Sequence, residues 1–154
     1  MTGLSDSFQR PINYLRISVT DRCNLRCVYC MPPEGIELFR RDEILSFEEI
    51  LRVVEASASL GISKIRLSGG EPLVRSGLTE FISKLAKVPG IDDISLTTNG
   101  LLLKEYARKL KEAGLKRVNV SLDSLKADRF RKITRGGELA KALAGLEEAE
   151  IAGL

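Results

Sequence analysis

A strand-like segment followed by a helix-like segment recurs four times along these 154 residues. The strand segments alternate β-branched or other apolar residues with polar ones and lie at 14–20, 64–68, 93–97 and 117–123. Helical patterns separate them, and two more, near 126–133 and over about 138–152, follow the fourth. Successive strand–helix units predict right-handed crossover connections and a parallel sheet.

The first long helical pattern carries clear boundary signals. Ser46 precedes it as an N-cap, and Glu49 stands three residues later at the spacing of a capping box. Gly61 is expected to end this helix, and Gly114 to end the one that follows the third strand. These signals place the helices between the strands, as an α/β fold requires.

Each strand segment has one apolar and one polar face, because neighbouring side chains point to opposite sides. Parallel strands covered by helices on both faces would be apolar throughout. The pattern therefore predicts an incomplete (β/α) barrel with helices outside and a polar inner face. A one-layer α+β sheet with a solvated face would show the same alternation, but four successive strand–helix units favour parallel connections.

All three cysteines of the chain lie in one loop directly after the first strand segment, at Cys23, Cys27 and Cys30. The chain has no histidine, which excludes Ser-His and Cys-His nucleophiles and every zinc site that uses histidine. There is no bilayer-spanning apolar run and no signal-peptide pattern, so we expect a cytoplasmic protein whose thiols stay reduced.

Three clustered thiols are suited to a metal group with four ligand positions, one of which the protein leaves unfilled. Thiolates are the usual ligands of iron–sulfur clusters, and three of them on a four-iron cluster leave one iron free for a small molecule. A zinc site would need a fourth ligand from Asp or Glu. A small iron–sulfur or zinc module without enzymatic activity therefore stays open at this point.

Four polar, turn-rich segments follow the four strands: the cysteine loop, "SGGEP" (68–72), "TTNG" (97–100) and "SLDS" (121–124). Each of the last three, taken alone, is an ordinary turn or helix cap. In (β/α) barrels, however, the carboxyl ends of the strands build the active site. Their shared position predicts that the four segments meet there.

The spacing C-x3-C-x2-C after the first strand, with "GGEP" after the second, resembles the radical S-adenosylmethionine superfamily. The segments "YLRISVTDRCNLRCVYCMP", "IRLSGGEPLVR", "SLTTNG", "VNVSLDSL" and "RFRKITRGG" together resemble the GTP 3′,8-cyclase family of molybdenum cofactor biosynthesis. The resemblance implies a barrel of the radical S-adenosylmethionine type, with residues 1–154 forming its N-terminal part. It covers nearly the whole chain.

The resemblance also implies which residues bind each group. A [4Fe-4S] cluster would be held by Cys23, Cys27 and Cys30. S-adenosylmethionine would be bound by Tyr29, Gly69, Gly70, Glu71 and Ser121. The tyrosine would contact the adenine, the glycines would approach the methionine amino group, and the serine would touch the methionine or ribose end. GTP would be bound by Arg16, Arg66 and Thr97, and no catalytic side chain beyond these is implied.

In the implied reaction, a 5′-deoxyadenosyl radical removes a hydrogen from the ribose C3′ of GTP, and the product is 3′,8-cyclo-7,8-dihydro-GTP. The family also implies an electron donor, allows a homodimer, and carries a second [4Fe-4S] cluster whose cysteines this chain lacks. Another radical S-adenosylmethionine enzyme, such as a peptide maturase, is the alternative. No membrane or nucleic-acid partner is expected, because the net charge of +3 is mild and scattered.

The alternation of the strands bears on the GTP residues independently of the family. Arg16, Arg66 and Thr97 all fall on the polar face. Guanidinium groups there would suit the oxygens of a triphosphate. They could instead pair with an acid such as Glu71 or Asp123, or only attract anions through their charge.

Overall fold

The computed structural model describes residues 3–154 and contains a four-stranded parallel sheet in the order β1-β2-β3-β4. Its strands are β1 (Tyr14–Ser18), β2 (Lys64–Ser68), β3 (Asp93–Thr98) and β4 (Arg117–Val120). Its α-helices are α1 (Phe47–Ser59), α2 (Leu78–Leu85), α3 (Leu103–Glu112), α4 (Ala127–Thr134) and α5 (Leu139–Ala152). The sheet does not close, so the predicted incomplete (β/α) barrel with parallel strands is confirmed.

The capping box predicted at the start of α1 is present. The Ser46 backbone N–H donates to Glu49 Oε2 at 2.7 Å, and the Glu49 backbone N–H donates to Ser46 Oγ at 3.2 Å. Gly61, with φ 98°, and Gly114, with φ 105°, follow the ends of α1 and α3 in the left-handed region that glycine tolerates. Local sequence signals therefore place these helices correctly.

Two strands end earlier than their sequence pattern predicts. β1 ends at Ser18 and β4 at Val120, although the alternation continues to residues 20 and 123. Beyond the end of each of these strands, one more backbone hydrogen bond follows. Val19 N–H donates to the Ser68 carbonyl next to the β1–β2 ladder, and Ser121 N–H donates to the Thr98 carbonyl next to the β3–β4 ladder. The ladders stop there because the neighbouring strands turn into loops, which leaves later residues no partner.

The apolar face of the sheet packs on four helices, as predicted. Ile65, Leu67, Ile94 and Leu96 are almost completely buried and form one core with residues of α1, α2, α3 and α5. Stacking of Phe47 on Phe81, with ring centroids 4.4 Å apart, joins α1 to α2. Because the helices cover this one face, the other face is left for polar side chains.

The polar face follows the register of the sheet. Arg16 lies opposite Arg66, and Thr97 lies opposite Asn119. Ser68 and Ser95 on this face are nevertheless buried, and Ser95 Oγ donates to the Ile65 carbonyl oxygen at 3.3 Å. The inner face is therefore polar, but its centre is less open than the sequence pattern suggests.

Within residues 3–154, the helices are too short or too polar for any of them to cross a bilayer.

Candidate active site

The four segments that follow the strands meet around one cavity of about 180 Å³ at the carboxyl end of the sheet. All the predicted site residues line this cavity except Arg66, which lies beside Arg16 on the neighbouring strand. Leu25, Ser68, Thr98 and Asn99 complete the wall. The fold thus brings together the residues that the sequence only places at separate strand ends.

The beginning of the cysteine loop lies directly on the "GGE" segment. Gly70 N–H donates to the Thr20 carbonyl at 2.8 Å, and Glu71 N–H donates to the Arg22 carbonyl at 2.8 Å. A Cβ atom on Gly70 would lie 2.6 Å from the Arg22 carbonyl carbon, a distance that real Cβ atoms do not tolerate. Glycine is therefore required here for contact between the two loops, whatever ligand the segment also approaches.

The three thiols face the cavity in different degrees of burial. Cys23 and Cys27 are half-buried, and Cys30 is exposed. Burial is the largest cause that raises the pKa of the Cys23 and Cys27 thiols. Both are therefore protonated at neutral pH in the protein alone, and binding of a metal group must displace their protons.

The donor set fits an iron–sulfur cluster. The Leu25 backbone N–H donates to Cys23 Sγ at 3.4 Å, and Asn99 Nδ2 lies 4.0 Å from the same sulfur. Such N–H groups stabilise a thiolate ligand once it has formed. Across residues 3–154, no three His, Cys, Asp or Glu side chains are gathered around a single ion position. A four-iron cluster makes no such demand, because each of its thiolates binds a different iron.

Tyr29 connects the cysteine loop to the end of β4. Its hydroxyl donates to Asp123 Oδ2 at 3.1 Å, while the residue as a whole remains 65% exposed. Burial of the hydroxyl, then the nearby Cys27, raises the pKa of Tyr29, so the phenol stays protonated as a donor. The bond uses the Asp123 carboxylate, which the sequence left as a candidate partner for the arginines.

Glu71 lies under the cavity and links β2 to β3. Its carboxylate accepts bonds from Thr98 Oγ1 at 2.8 Å, Asn99 N–H at 2.7 Å and Leu73 N–H at 3.2 Å. The side chain is only 1% exposed, and burial raises the pKa of this carboxyl despite the three bonds. The carboxylate is thus engaged with the protein, although the residue lines the cavity.

Arg16 and Arg66 form no salt bridge with an acidic side chain among residues 3–154. Arg16 Nε donates to Ser68 Oγ at 3.1 Å, and Arg66 Cζ lies 5.5 Å from the Tyr14 ring centroid. Arg66 Nε is buried and has no hydrogen-bond partner in the described part of the chain. Two adjacent cations with an unsatisfied donor are chemically suited to an anion.

Sequence reasoning missed Asn99 and the Tyr29–Asp123 pair. Asn99 Nδ2 donates to Asn24 Oδ1 at 2.7 Å, so Asn99 ties the end of β3 to the cysteine loop. Asn99 and Asp123 lie in two segments that the sequence analysis singled out, "TTNG" and "SLDS". Their position at a strand end was the available signal, but their partners are 75 and 94 residues away in the chain.

Curated relatives share much of the sequence. The chain is 64% identical over 151 residues to the GTP 3′,8-cyclase of Pelotomaculum thermopropionicum, covering 98% of this chain and 46% of that protein. It is 59% identical over 152 residues to the GTP 3′,8-cyclase of Thermodesulfovibrio yellowstonii, covering 98% of this chain and 47% of that protein. The chain therefore spans about half the length of these relatives.

Solved structures share the fold at low sequence identity. Methylornithine synthase matches with a TM-score of 0.73 and 18% identity, over 91% of this chain and 42% of that one. The [FeFe]-hydrogenase maturase HydG matches with a TM-score of 0.74 and 19% identity, over 92% of this chain and 33% of that one. In addition, the Radical SAM superfamily matches residues 17–154. The chain therefore belongs to the radical S-adenosylmethionine superfamily.

Proposed function

We propose that this chain forms the cluster- and S-adenosylmethionine-binding part of a GTP 3′,8-cyclase. Membership of the superfamily implies a [4Fe-4S] cluster and S-adenosylmethionine. When bound and reduced by one electron from a donor, these groups would supply a 5′-deoxyadenosyl radical for removal of the ribose C3′ hydrogen of GTP, the chemistry that leads to 3′,8-cyclo-7,8-dihydro-GTP. Identities of 64% and 59% to two GTP 3′,8-cyclases support this substrate.

The chain's own residues bind and position these groups. Cys23, Cys27 and Cys30 hold the cluster. Five residues around the same cavity bind S-adenosylmethionine: Tyr29, Gly69, Gly70, Glu71 and Ser121. The Glu71 carboxylate already accepts hydrogen bonds from protein groups. We therefore propose that Glu71 holds the wall of the cavity in place and does not bond the ligand directly.

One observation carries the assignment of GTP: the pair Arg16 and Arg66 has no carboxylate to neutralise it within the described part of the chain. The two acids that sequence reasoning offered as partners, Glu71 and Asp123, bond to other groups. A triphosphate supplies oxygens for both guanidinium groups, including the unsatisfied Arg66 Nε. Thr97, on the same face and lining the cavity, adds a hydroxyl.

The remaining partners belong to the whole protein. We place the second [4Fe-4S] cluster of the family in the part of the relatives that this chain does not span. An electron donor must reduce the cluster held by the three cysteines, and a homodimer is compatible with the proposal. The domain formed by residues 1–154 is thus the N-terminal part of a radical S-adenosylmethionine core.

The test is equilibrium binding of GTP to the wild-type chain and to Arg66→Ala, measured by calorimetry together with iron content after anaerobic reconstitution. We expect Arg66→Ala to weaken GTP binding by about tenfold or more, since a charge-assisted bond is worth about 1.5–3 kcal/mol. Iron content should not change, because among residues 3–154 no hydrogen bond or salt bridge joins Arg66 to the cysteine loop.

Lys64→Ala is the matched control. Lys64 lies on the same face of β2, two residues further from the cavity, and its loss removes the same charge. We expect its GTP affinity to stay close to that of the wild type. If GTP affinity fell equally in both variants, the arginine pair would attract anions only through its charge and would not bind GTP directly. A chain that binds S-adenosylmethionine but no GTP would indicate another radical S-adenosylmethionine enzyme.

A further inference from the structure

The segment "ITRGG" (133–137) contributes to the resemblance but lies outside the cavity, and the proposed function gives it no role. It begins in the last turn of α4 and lies against the second half of the cysteine loop. Two backbone bonds join them, from Val28 N–H to the Ile133 carbonyl at 2.9 Å and from Arg26 N–H to the Thr134 carbonyl at 3.4 Å. The end of α4 therefore packs against the stretch that carries Cys27 and Cys30.

Arg135 adds two charge-assisted contacts to this packing. Its Nη1 atom donates to the Arg26 carbonyl at 2.9 Å and to the Met31 carbonyl at 2.6 Å. These carbonyls belong to the residues just before Cys27 and just after Cys30. A single guanidinium nitrogen thus joins the two ends of the turn that presents two of the three thiols.

Two backbone hydrogen bonds close the turn itself. Cys30 N–H and Met31 N–H both donate to the Cys27 carbonyl, at 2.9 and 3.2 Å. Most of its side chains are exposed, including Val28 and Tyr29. With so little burial, the turn depends on external bonds for a defined shape.

The backbone of Arg135 supports a positioning role. Its φ of 52° and ψ of 54° lie in the left-handed region, which non-glycine residues avoid unless their surroundings enforce it. Glycines stand at positions 136 and 137, yet position 135 itself is an arginine. At this position, directly after the last turn of α4, the left-handed backbone ends the helix, and the side chain makes both of its bonds to the cysteine loop.

We infer that Arg135 is a positioning residue that fixes the Cys27–Cys30 turn, and with it the backbone of Tyr29, in the shape that receives the cluster. The inference rests on the proposed role of the cysteines as ligands. Residues that hold metal ligands in place typically change metal affinity or activity by about 10- to 100-fold when they are replaced.

The test uses the full chain and two readouts on three variants. Arg135→Asn keeps a residue that tolerates the left-handed conformation but cannot reach the carbonyls. Arg135→Lys keeps the charge but not the planar guanidinium. Arg131→Asn is the matched control: it removes one exposed arginine from the same helix, and no side-chain bond of Arg131 to the cysteine loop occurs among the described residues.

The first readout is hydrogen exchange of residues 26–31 in the protein without iron. We expect exchange of the Val28 amide to speed up by about tenfold or more in Arg135→Asn, since each charge-assisted bond contributes to holding the turn. Arg135→Lys should fall between Arg135→Asn and the wild type. In Arg135→Asn, the amides of β2 and β3 should exchange at the wild-type rate. In the control Arg131→Asn, all amides should exchange at the wild-type rate.

The second readout is the reconstituted protein, followed by iron and sulfide content and by the electron paramagnetic resonance spectrum after reduction with dithionite, with and without S-adenosylmethionine. Arg135→Asn should lose iron to a chelator about 10- to 100-fold faster than the wild type. Its spectrum should also respond less to S-adenosylmethionine, which a purely structural residue would not alter.

Each result decides the inference. Unchanged exchange and unchanged iron retention in Arg135→Asn would overturn it. Faster amide exchange throughout β2 and β3 in Arg135→Asn would also overturn it, because Arg135 would then stabilise the whole fold and not this turn in particular. If the wild-type chain itself takes up no cluster, the proposed function fails instead, while the exchange data still show whether Arg135 holds the turn.

Discussion

At the scale of single residues, the site depends on polar groups whose partners are other protein atoms. Glu71 is the clearest case, because a buried carboxylate is tolerated only where bonds replace its hydration. Two opposite effects act on it: burial raises the pKa of the carboxyl, and three hydrogen bonds lower it, with burial the larger effect. Which effect dominates determines how stability depends on pH.

We predict that Glu71 makes the protein less stable as pH rises above about 4.5, the ordinary value for this carboxyl. A raised pKa means that the folded state holds the proton to higher pH than the unfolded state does. The stabilisation is complete below the ordinary value and is lost as pH passes the raised one. Denaturant unfolding of the wild type and of Glu71→Gln between pH 4 and pH 8 measures this contribution of Glu71 to stability.

The difference in unfolding free energy, wild type minus Glu71→Gln, should fall with rising pH over that range. Taking the difference cancels the other titrating groups. Replacement by Gln should also cost about 1–3 kcal/mol, because one amide N–H must then face a backbone or hydroxyl donor. A difference that rises with pH would show that the hydrogen bonds outweigh burial.

At the scale of elements, helices hold the loops that form the site. Gly145 of α5 packs against the start of α3, where an added Cβ would meet the Gly100 carbonyl oxygen and lie 3.0 Å from Leu103 Cβ. Gly100 immediately follows Asn99, the residue that binds the cysteine loop. The contact between α3 and α5 therefore sets the position of a cavity residue.

Gly145→Ala should destabilise the protein by about 1–3 kcal/mol, although Ala is favoured over Gly in a helix by about 1 kcal/mol. The backbone contact dominates because a carbonyl oxygen cannot move aside as a flexible side chain can. Urea unfolding measures the change. The pair Glu147→Ala and Glu147→Gly, at an exposed position of α5, reports helix propensity alone. A stabilised Gly145→Ala would disprove the close packing.

At the scale of the whole molecule, the hydrophobic core and the cysteine loop are separate. The main core takes no residue from positions 20–46, and the smaller one consists of Phe130, Leu139 and Ala142. The fold is thus supported by the sheet and helices, while the loop that carries the thiols is attached to them mainly by hydrogen bonds and by the buried side chain of Leu25.

We therefore predict that removing the iron leaves the fold intact. Chelation of the reconstituted protein should leave the far-ultraviolet circular dichroism unchanged, while amide exchange accelerates within residues 20–38. Cys27→Ala should bind no cluster and should match the chelated protein in both measurements. Loss of helical signal on chelation would mean that the cluster holds the fold, as structural zinc does in zinc fingers.

Much of this architecture is local information that the sequence carries by itself. The alternating strands, the Ser46–Glu49 capping box and the glycines after α1 and α3 depend on neighbouring residues, so the parallel α/β fold was predicted from them. The same holds for the cysteine spacing and for the polar face that carries Arg16 and Arg66. Strand ends were less certain, because pairing stops where a neighbouring strand turns away.

Only the tertiary structure decided which side chains meet. The Tyr29–Asp123, Asn99–Asn24 and Arg135–Met31 bonds join residues 94, 75 and 104 positions apart. The bonds of Glu71, which occupy its carboxylate inside the protein, likewise come from another strand end. The sequence determines what each segment can form, whereas these bonds form only once the packed core has brought distant strand ends within hydrogen-bonding distance.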